Sequence, residues 1–213
     1  MLHGSLSLPA RLCLLSWDTA TGEPVAVGRL PYLVRAGALT ELARRGPLTD
    51  VDGIVTPVDL DATTGDDALD DFLELVQESR PRTWAEWVTA HASVTLDAVR
   101  AGLAADGLLR PGKRRALGFL PTVDYTLVAV AEATALQERV RGLLSGPPPA
   151  GPPPVDAALA ALAATAGVPS RPSEAALARA EALTAGTVAK EIRKGLAAAV
   201  KAETRGAGNC AVL

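Results

Sequence analysis

The chain has 213 residues and a mass of 21.8 kDa, with 48% hydrophobic and 21% charged residues. This length and balance are typical of a globular domain and argue against disorder or a disulfide-stapled miniprotein. Because only 3% of residues are aromatic, we expect a core of Ala, Leu and Val, which favours packed helices. The net charge of -3 argues against a nucleic-acid partner.

The cysteines and the hydropathy predict where the protein acts. Cys13 and Cys210 lie near opposite ends of the chain, so neither a disulfide framework nor a zinc site is indicated. Residues 1–10 lack the basic start of a secretion signal, and no apolar run reaches the roughly 20 residues of a membrane span. We therefore predict a cytoplasmic protein whose contact with a membrane is peripheral. Abundant Arg, Ala, Gly and Pro indicate a GC-rich, bacterial genome.

The first elements follow from apolar spacing. Residues 12–17 form an apolar run that predicts a short strand or a buried segment. Residues 32–43 place apolar side chains three and four positions apart, which predicts a helix that ends at Gly46. Residues 48–60 alternate roughly between apolar and polar, as in a short hairpin.

Three shorter helices are predicted downstream. Residues 69–76 have apolar side chains on one helical face and acidic side chains on the other. Thr83 and Glu86 have the spacing of a capping box at the start of the next helix. Residues 93–105 predict a third helix.

The C-terminal part predicts further helices. Residues 128–144 are amphipathic, whereas the proline-rich residues 146–154 cannot continue a helix and predict a stiff linker or surface loop. Residues 155–166 predict a second helix. A last long helical region is expected over 172–202, followed by a frayed, flexible tail at about 205–213.

Acidic side chains cluster before the helix at 69–76; they are Asp66, Asp67, Asp70 and Asp71. Their spacing lacks the alternating ligands of a calcium loop. We predict a structural helix start, capped by Thr64 or Asp66, and no metal site.

Catalytic motifs are not recognisable in the sequence. His3 and His91 are too few and too isolated for a metal centre or a nucleophilic triad, and there is no GxSxG, P-loop or GxGxxG pattern. We predict a non-enzymatic protein with no catalytic residues and no cofactor.

Residues 113–125 combine cations with an apolar run interrupted by glycine and proline. The cations are Lys113, Arg114 and Arg115, and the apolar residues include Leu117, Phe119, Leu120 and Val123. This pattern predicts a hairpin or an exposed loop.

Four segments in chain order carry a family resemblance: LCLLSWDTATGEP, VRAGALTELARRGPL, DATTGDDALDDFL and GLLRPGKRRALGFLPTVDYTL. In this order they resemble the Golgi phosphoprotein 3 family, which includes many bacterial members. The resemblance implies a mainly α fold in a single domain, 1–213, with a helical bundle core, surrounding helices and a protruding hydrophobic β-hairpin. It also implies a protein at the cytosolic face of membranes. Eukaryotic relatives bind phosphatidylinositol 4-phosphate and retain glycosyltransferases in the Golgi.

The resemblance transfers only part of the family's lipid pocket. One head-group arginine falls on Arg35, whose guanidinium can pair with phosphate oxygens. The tryptophan position falls near Ala26, and two further basic positions fall near Ser93 and Leu96. The resemblance therefore implies binding to anionic phospholipid or phosphoinositide head groups but leaves the head group open.

The hairpin transfers more completely. The resemblance makes Leu117, Phe119, Leu120 and Val123 the membrane-inserting residues, with Lys113, Arg114 and Arg115 beside the head groups. Apolar side chains enter the acyl boundary, and each cation adds about 1 kcal/mol at an anionic surface. The alternative, weighed equally, is that the apolar side chains pack on a helix or a second subunit. The protein would then be a soluble adaptor that self-associates or docks a protein client through the hairpin.

The last residues, 210–213, match a prenylation box that begins with Cys210. Prenylation needs a eukaryotic transferase, and the composition is that of a bacterial protein. We therefore expect Cys210 to be unmodified.

Overall fold

A computed structural model describes residues 6–116, 120–145 and 151–209, with side chains for all of these except 113–116, 120–122 and 207–209. Across these ranges the chain is mainly helical, as predicted, and contains two two-stranded antiparallel sheets.

The helices, in chain order, are α1 (Leu8–Leu15), α2 (Leu30–Arg45), α3 (Asp67–Glu78), α4 (Trp84–Thr89), α5 (Ala92–Ala105), α6 (Val130–Ser145), α7 (Pro154–Ala166), α8 (Glu174–Leu183) and α9 (Ala189–Asn209). The strands are β1 (Leu48–Val51), β2 (Ile54–Pro57), β3 (Leu109–Ala116) and β4 (Leu120–Leu127). A 3₁₀ turn, Val27–Arg29, leads into α2.

Helix α2 lies at the centre of the fold and packs against α1, α4, α5, α7 and α9. A proline in its first turn favours its start, and Gly46 ends it with a φ of 105°, as the sequence predicts. A Cβ at Gly37 would lie 3.1 Å from the Pro9 Cα and 3.2 Å from the Pro9 nitrogen, so glycine favours this close approach of α1 to α2. The central helix is therefore surrounded on most sides.

Of the two alternatives predicted for residues 12–17, the buried segment is confirmed and the strand is wrong. These residues are buried, but most of them belong to a helix that begins at Leu8 with Pro9 in its first turn. Leu12 and Leu15 belong to one apolar cluster, whereas Cys13 and Leu14 belong to another. A helix buried on both sides has no polar face, so its short apolar run resembles a strand.

The local signals for the next elements are confirmed. The Asp66 carboxylate accepts a hydrogen bond from the Leu69 amide at 3.2 Å and caps α3. Thr83 and Glu86 form the predicted capping box of α4. Strands β1 and β2 form the predicted hairpin at 48–60, which turns at Asp52 and Gly53.

The helical region predicted over 172–202 consists of two helices, α8 and α9. Residues 184–188 separate α8 from α9, and Gly186 adopts a φ of 74° between them. Helix α9 continues to Asn209, beyond the predicted start of the tail, because no proline or cap interrupts its backbone bonding after residue 202. Residues 146–150 of the predicted loop and 210–213 of the predicted tail, including Cys210, lie outside the described residues.

The core comprises two main apolar clusters. The larger joins α2 to α4, α7 and α9, and includes the fully buried Trp84 and Trp87. The second joins α1, α5 and α6 to the ends of β3 and β4. This second cluster fixes the β3–β4 hairpin to the helices.

Candidate functional site

Strands β3 and β4 form an antiparallel hairpin whose register is continuous. Leu109 pairs with Leu127 at the base, and Ala116 pairs with Leu120 at the far end. The prediction of a hairpin or exposed loop at 113–125 is therefore resolved as a hairpin.

The base of the hairpin is anchored in the second cluster. Leu109 is 2% exposed and Leu127 is 7% exposed. The Arg100 guanidinium of α5 lies 5.7 Å from the centre of the Tyr125 ring. Arg100 also interacts with the buried thiol of Cys13, whose pKa burial raises to about 12 in spite of the arginine. These contacts hold the base against α1 and α5.

Beyond its base, most of the hairpin side chains that the structure describes are exposed. Arg110 and Gly112 of β3 are exposed, as are Val123 and Thr126 of β4. Val123 is 61% exposed, which is high for an apolar side chain. The hairpin therefore projects from the helices beyond Leu109 and Leu127.

The register places the predicted cations along β3. Lys113 lies opposite Val123, and Arg114 and Arg115 lie opposite residues 122 and 121. The side chains of these cations and of Leu120 are not among those described, and Leu117 and Phe119 lie outside the described residues. The strand pairing thus places Lys113 opposite Val123, and it places Arg115 one position before the residue that pairs with Leu120.

Arg35 occupies a different place, in the interior. Its side chain has 0% exposure, and Nη2 donates a hydrogen bond to the His91 carbonyl at 2.6 Å. The guanidinium carbon lies 3.9 Å from the centre of the Phe72 ring. Among the residues that the structure describes, Nε and Nη1 have no hydrogen-bond partner, and burial lowers the pKa of Arg35 to about 9.

This position gives Arg35 a structural role in the described conformation. It joins α2 to the α4–α5 junction, where His91 adopts a left-handed backbone with a φ of 51°. A lipid head group at the protein surface does not meet the guanidinium here. The assignment of Arg35 as a head-group ligand stays a prediction, and it requires a change of conformation.

The acidic residues at the start of α3 have structural partners. The Asp70 carboxylate accepts hydrogen bonds from the amides of Thr64, at 2.6 Å, and Gly65, at 3.3 Å. An open groove of about 800 Å³ lies nearby, lined by Asp67, Asp71 and other residues of α3 and α5. Among the residues with described positions, no group of three potential metal ligands is assembled.

The sequence model of the family described as Golgi phosphoprotein 3 (GPP34) matches residues 8–203, which is most of the chain. The chain belongs to the Golgi phosphoprotein 3 family. A search of curated proteins found no match to this chain. The family match includes the β3–β4 hairpin and α9 as far as residue 203. Of the helices in the described ranges, none is long and apolar enough to cross a membrane.

The four positions that the resemblance assigns to a lipid pocket differ in their exposure. Ser93 is exposed at the start of α5, two residues after the carbonyl that Arg35 contacts, whereas Leu96 is 5% exposed in the second cluster. Ala26 is half-buried and has a left-handed φ of 56°. Arg35 is the one cation among these four positions.

Sequence reasoning missed the residues that anchor the hairpin. Cys13, Arg100 and Tyr125 belong to three elements, and no local motif links them. Their contacts arise from the tertiary packing of α1 against α5 and of α5 against β3.

Proposed function

We propose that this member of the Golgi phosphoprotein 3 family is a non-catalytic peripheral membrane protein that binds anionic phospholipid head groups through the β3–β4 hairpin. The observation that carries the proposal is the hairpin itself: it is buried at Leu109 and Leu127, and beyond them most of its described side chains are exposed. A projecting element of this kind can reach a bilayer while the helices stay in water.

The composition of the hairpin supports two kinds of membrane contact. Lys113, Arg114 and Arg115 supply consecutive positive charges, each worth about 1 kcal/mol at an anionic surface. The apolar residues Leu117, Phe119, Leu120 and Val123 follow directly and supply the buried apolar area. Because exposed charges are screened within about 8 Å at physiological salt, binding is expected to weaken as salt rises.

Arg35 is a secondary part of the proposal. Two of its guanidinium nitrogens lack a partner, so the group retains donors for a phosphate oxygen. Phe72 covers the guanidinium face, and a head group reaches it only if this contact opens. A preference for phosphatidylinositol 4-phosphate over other lipids of equal charge would indicate that such opening occurs.

The test is co-sedimentation of the purified protein with neutral, phosphatidylglycerol-containing and phosphatidylinositol 4-phosphate-containing vesicles at low and physiological salt. We expect salt-sensitive binding to both anionic vesicles. A triple variant, Leu117→Ser, Phe119→Ser and Leu120→Ser, is expected to lose most of this binding with its circular dichroism unchanged.

The β1–β2 region offers a matched control. Val51, Val58 and Leu60 are 50%, 62% and 72% exposed, and the same change to serine at these positions removes three exposed apolar side chains away from the hairpin. This control is expected to bind like the wild type. Equal binding by the hairpin variant and the control would refute insertion of the hairpin.

The alternative role of the hairpin is self-association or docking of a protein client. Light scattering after size exclusion tests self-association on the same variants. Loss of an oligomer in the hairpin variant, with vesicle binding retained, would favour the adaptor function over the membrane function.

A further inference from the structure

The exposed face of α9 carries a row of positive charges. Its members are Lys190, Lys194, Lys201 and Arg205, and all four are exposed. At 100° per residue they fall within an arc of about 60°, and at 1.5 Å per residue they extend over about 22 Å. We call these four residues the α9 cationic row.

The packing of α9 fixes the direction of this row. Ile192 and Leu196 on the opposite face have 0% exposure and lie in the larger apolar cluster. Gly195 lies directly against α4, where a Cβ would be 2.7 Å from the Ala85 Cα. Because α9 cannot rotate without losing these contacts, the cationic row stays directed at solvent.

Most charges of the row are not neutralised by neighbouring side chains. Lys194 pairs with Glu191 at 2.8 Å. Within the described part of the chain, Lys190, Lys201 and Arg205 make no ion pair. Helix α9 has five cationic and two acidic side chains in a chain whose net charge is -3. Positive charge is thus concentrated on this helix.

We infer that the α9 cationic row is a second contact with anionic bilayers, separate from the β3–β4 hairpin. Ala197 and Ala198 lie exposed between the charges, and the row has no large apolar side chain. This composition suits electrostatic contact with a plane of phosphates rather than insertion. Because the chain as a whole is acidic, an anionic partner is attracted only where positive charge is concentrated. A flat bilayer that contacts this one face therefore fits the charge distribution better than a nucleic acid that wraps the protein.

The inference rests on the proposed partner, an anionic bilayer, but not on the hairpin. Each Lys or Arg near an anionic surface strengthens binding about fivefold. The test changes all four residues of the row to glutamine, which is also a long side chain but carries no charge. The variant is Lys190→Gln, Lys194→Gln, Lys201→Gln and Arg205→Gln. We expect this quadruple variant to bind phosphatidylglycerol vesicles at least about tenfold more weakly than the wild type.

A second quadruple variant supplies the control for net charge. Arg80, Arg139, Arg141 and Arg171 are exposed on other elements, and their change to glutamine alters the net charge equally. This control is expected to bind within about threefold of the wild type. A third variant, with the three lysines of the row changed to arginine, is expected to keep wild-type binding.

The outcomes separate this inference from the proposed function. If wild-type protein binds the vesicles and the α9 variant binds like the charge control, the row is not a membrane contact and only this inference fails. If wild-type protein binds no vesicle, the proposed function fails as well. Tighter binding of wild-type protein to a DNA oligonucleotide than to vesicles of equal phosphate content, lost in the α9 variant, would also overturn the inference.

Discussion

Replacement of the buried Arg35 by methionine tests whether this side chain serves stability or binding. Methionine is also long and unbranched, so Arg35→Met keeps most of the volume beside Phe72 and removes the charge. The unpaired Nε and Nη1 donors are removed with it. The change therefore separates the energy of the charge from the energy of the packing.

The expected magnitude follows from the surroundings of the guanidinium. Burial lowers the pKa of Arg35 to about 9, which corresponds to a loss of about 5 kcal/mol in the stability of the charged form. The hydrogen bond to the His91 carbonyl offsets about 2 kcal/mol of this loss. The contact with the Phe72 ring offsets about 1–2 kcal/mol more of it. We expect Arg35→Met to raise the free energy of unfolding by about 1–2 kcal/mol.

Urea unfolding measures this directly, as a higher midpoint with an unchanged slope. The control is Leu39→Met, another buried position on α2, which is expected to lower stability by less than about 1.5 kcal/mol. A midpoint for Arg35→Met below that of this control would refute the energy balance. Vesicle binding by the same variant then reports on the head group: retained binding assigns Arg35 to the fold, and lost binding in a stabilised protein assigns it to the ligand.

Three further predictions concern stability. Gly195→Val is expected to lower the free energy of unfolding by about 1–3 kcal/mol, measured in urea, because its Cβ would meet the Ala85 backbone. Burial raises the pKa of Glu41, but the hydrogen bonds and charges of its two arginine partners outweigh burial and lower it overall. Glu41→Gln should therefore lower stability by about 1–3 kcal/mol at pH 7, with the gap to wild type closing as pH falls through the lowered pKa of Glu41. Thr83→Ala removes the cap of α4 and should lower stability by about 1 kcal/mol.

Each of these has a result that would count against it. If Gly195→Val is as stable as the wild type, α4 and α9 can move apart without a loss in the free energy of unfolding. If the difference in the free energy of unfolding between wild type and Glu41→Gln stays constant with pH, the ion pairs of Glu41 are not the source of that difference. A Thr83→Ser variant should keep the cap, so equal losses in the serine and alanine variants would point away from the hydroxyl.

The elements that could be predicted from sequence are those with local signals. The glycine stop of α2 at Gly46, the capping box at Thr83 and the Asp66 cap depend on residues within one turn. The β3–β4 hairpin was indicated by glycine and proline within an apolar run. These signals do not depend on what the element later packs against.

Features set by distant contacts could not be predicted. Helix α1 is surrounded by two clusters, so its apolar run has no helical periodicity. The burial of Arg35 runs against the rule that charged side chains stay exposed unless paired. The break between α8 and α9 follows from Gly186 in a left-handed conformation, which its local sequence does not demand.

The pairing of β3 with β4 limits how deeply the hairpin can enter a bilayer. Among the described residues the two strands form a sheet of their own, so each has an outer edge with backbone groups that face no partner strand. In hydrocarbon every unpaired backbone N–H or C=O costs several kcal/mol. Pro111 and Pro121 lack the N–H, but the other residues retain theirs. The hairpin is therefore suited to lie at the level of the glycerol and upper acyl groups, where water still reaches its edges, and it would release readily when the surface charge of the membrane falls.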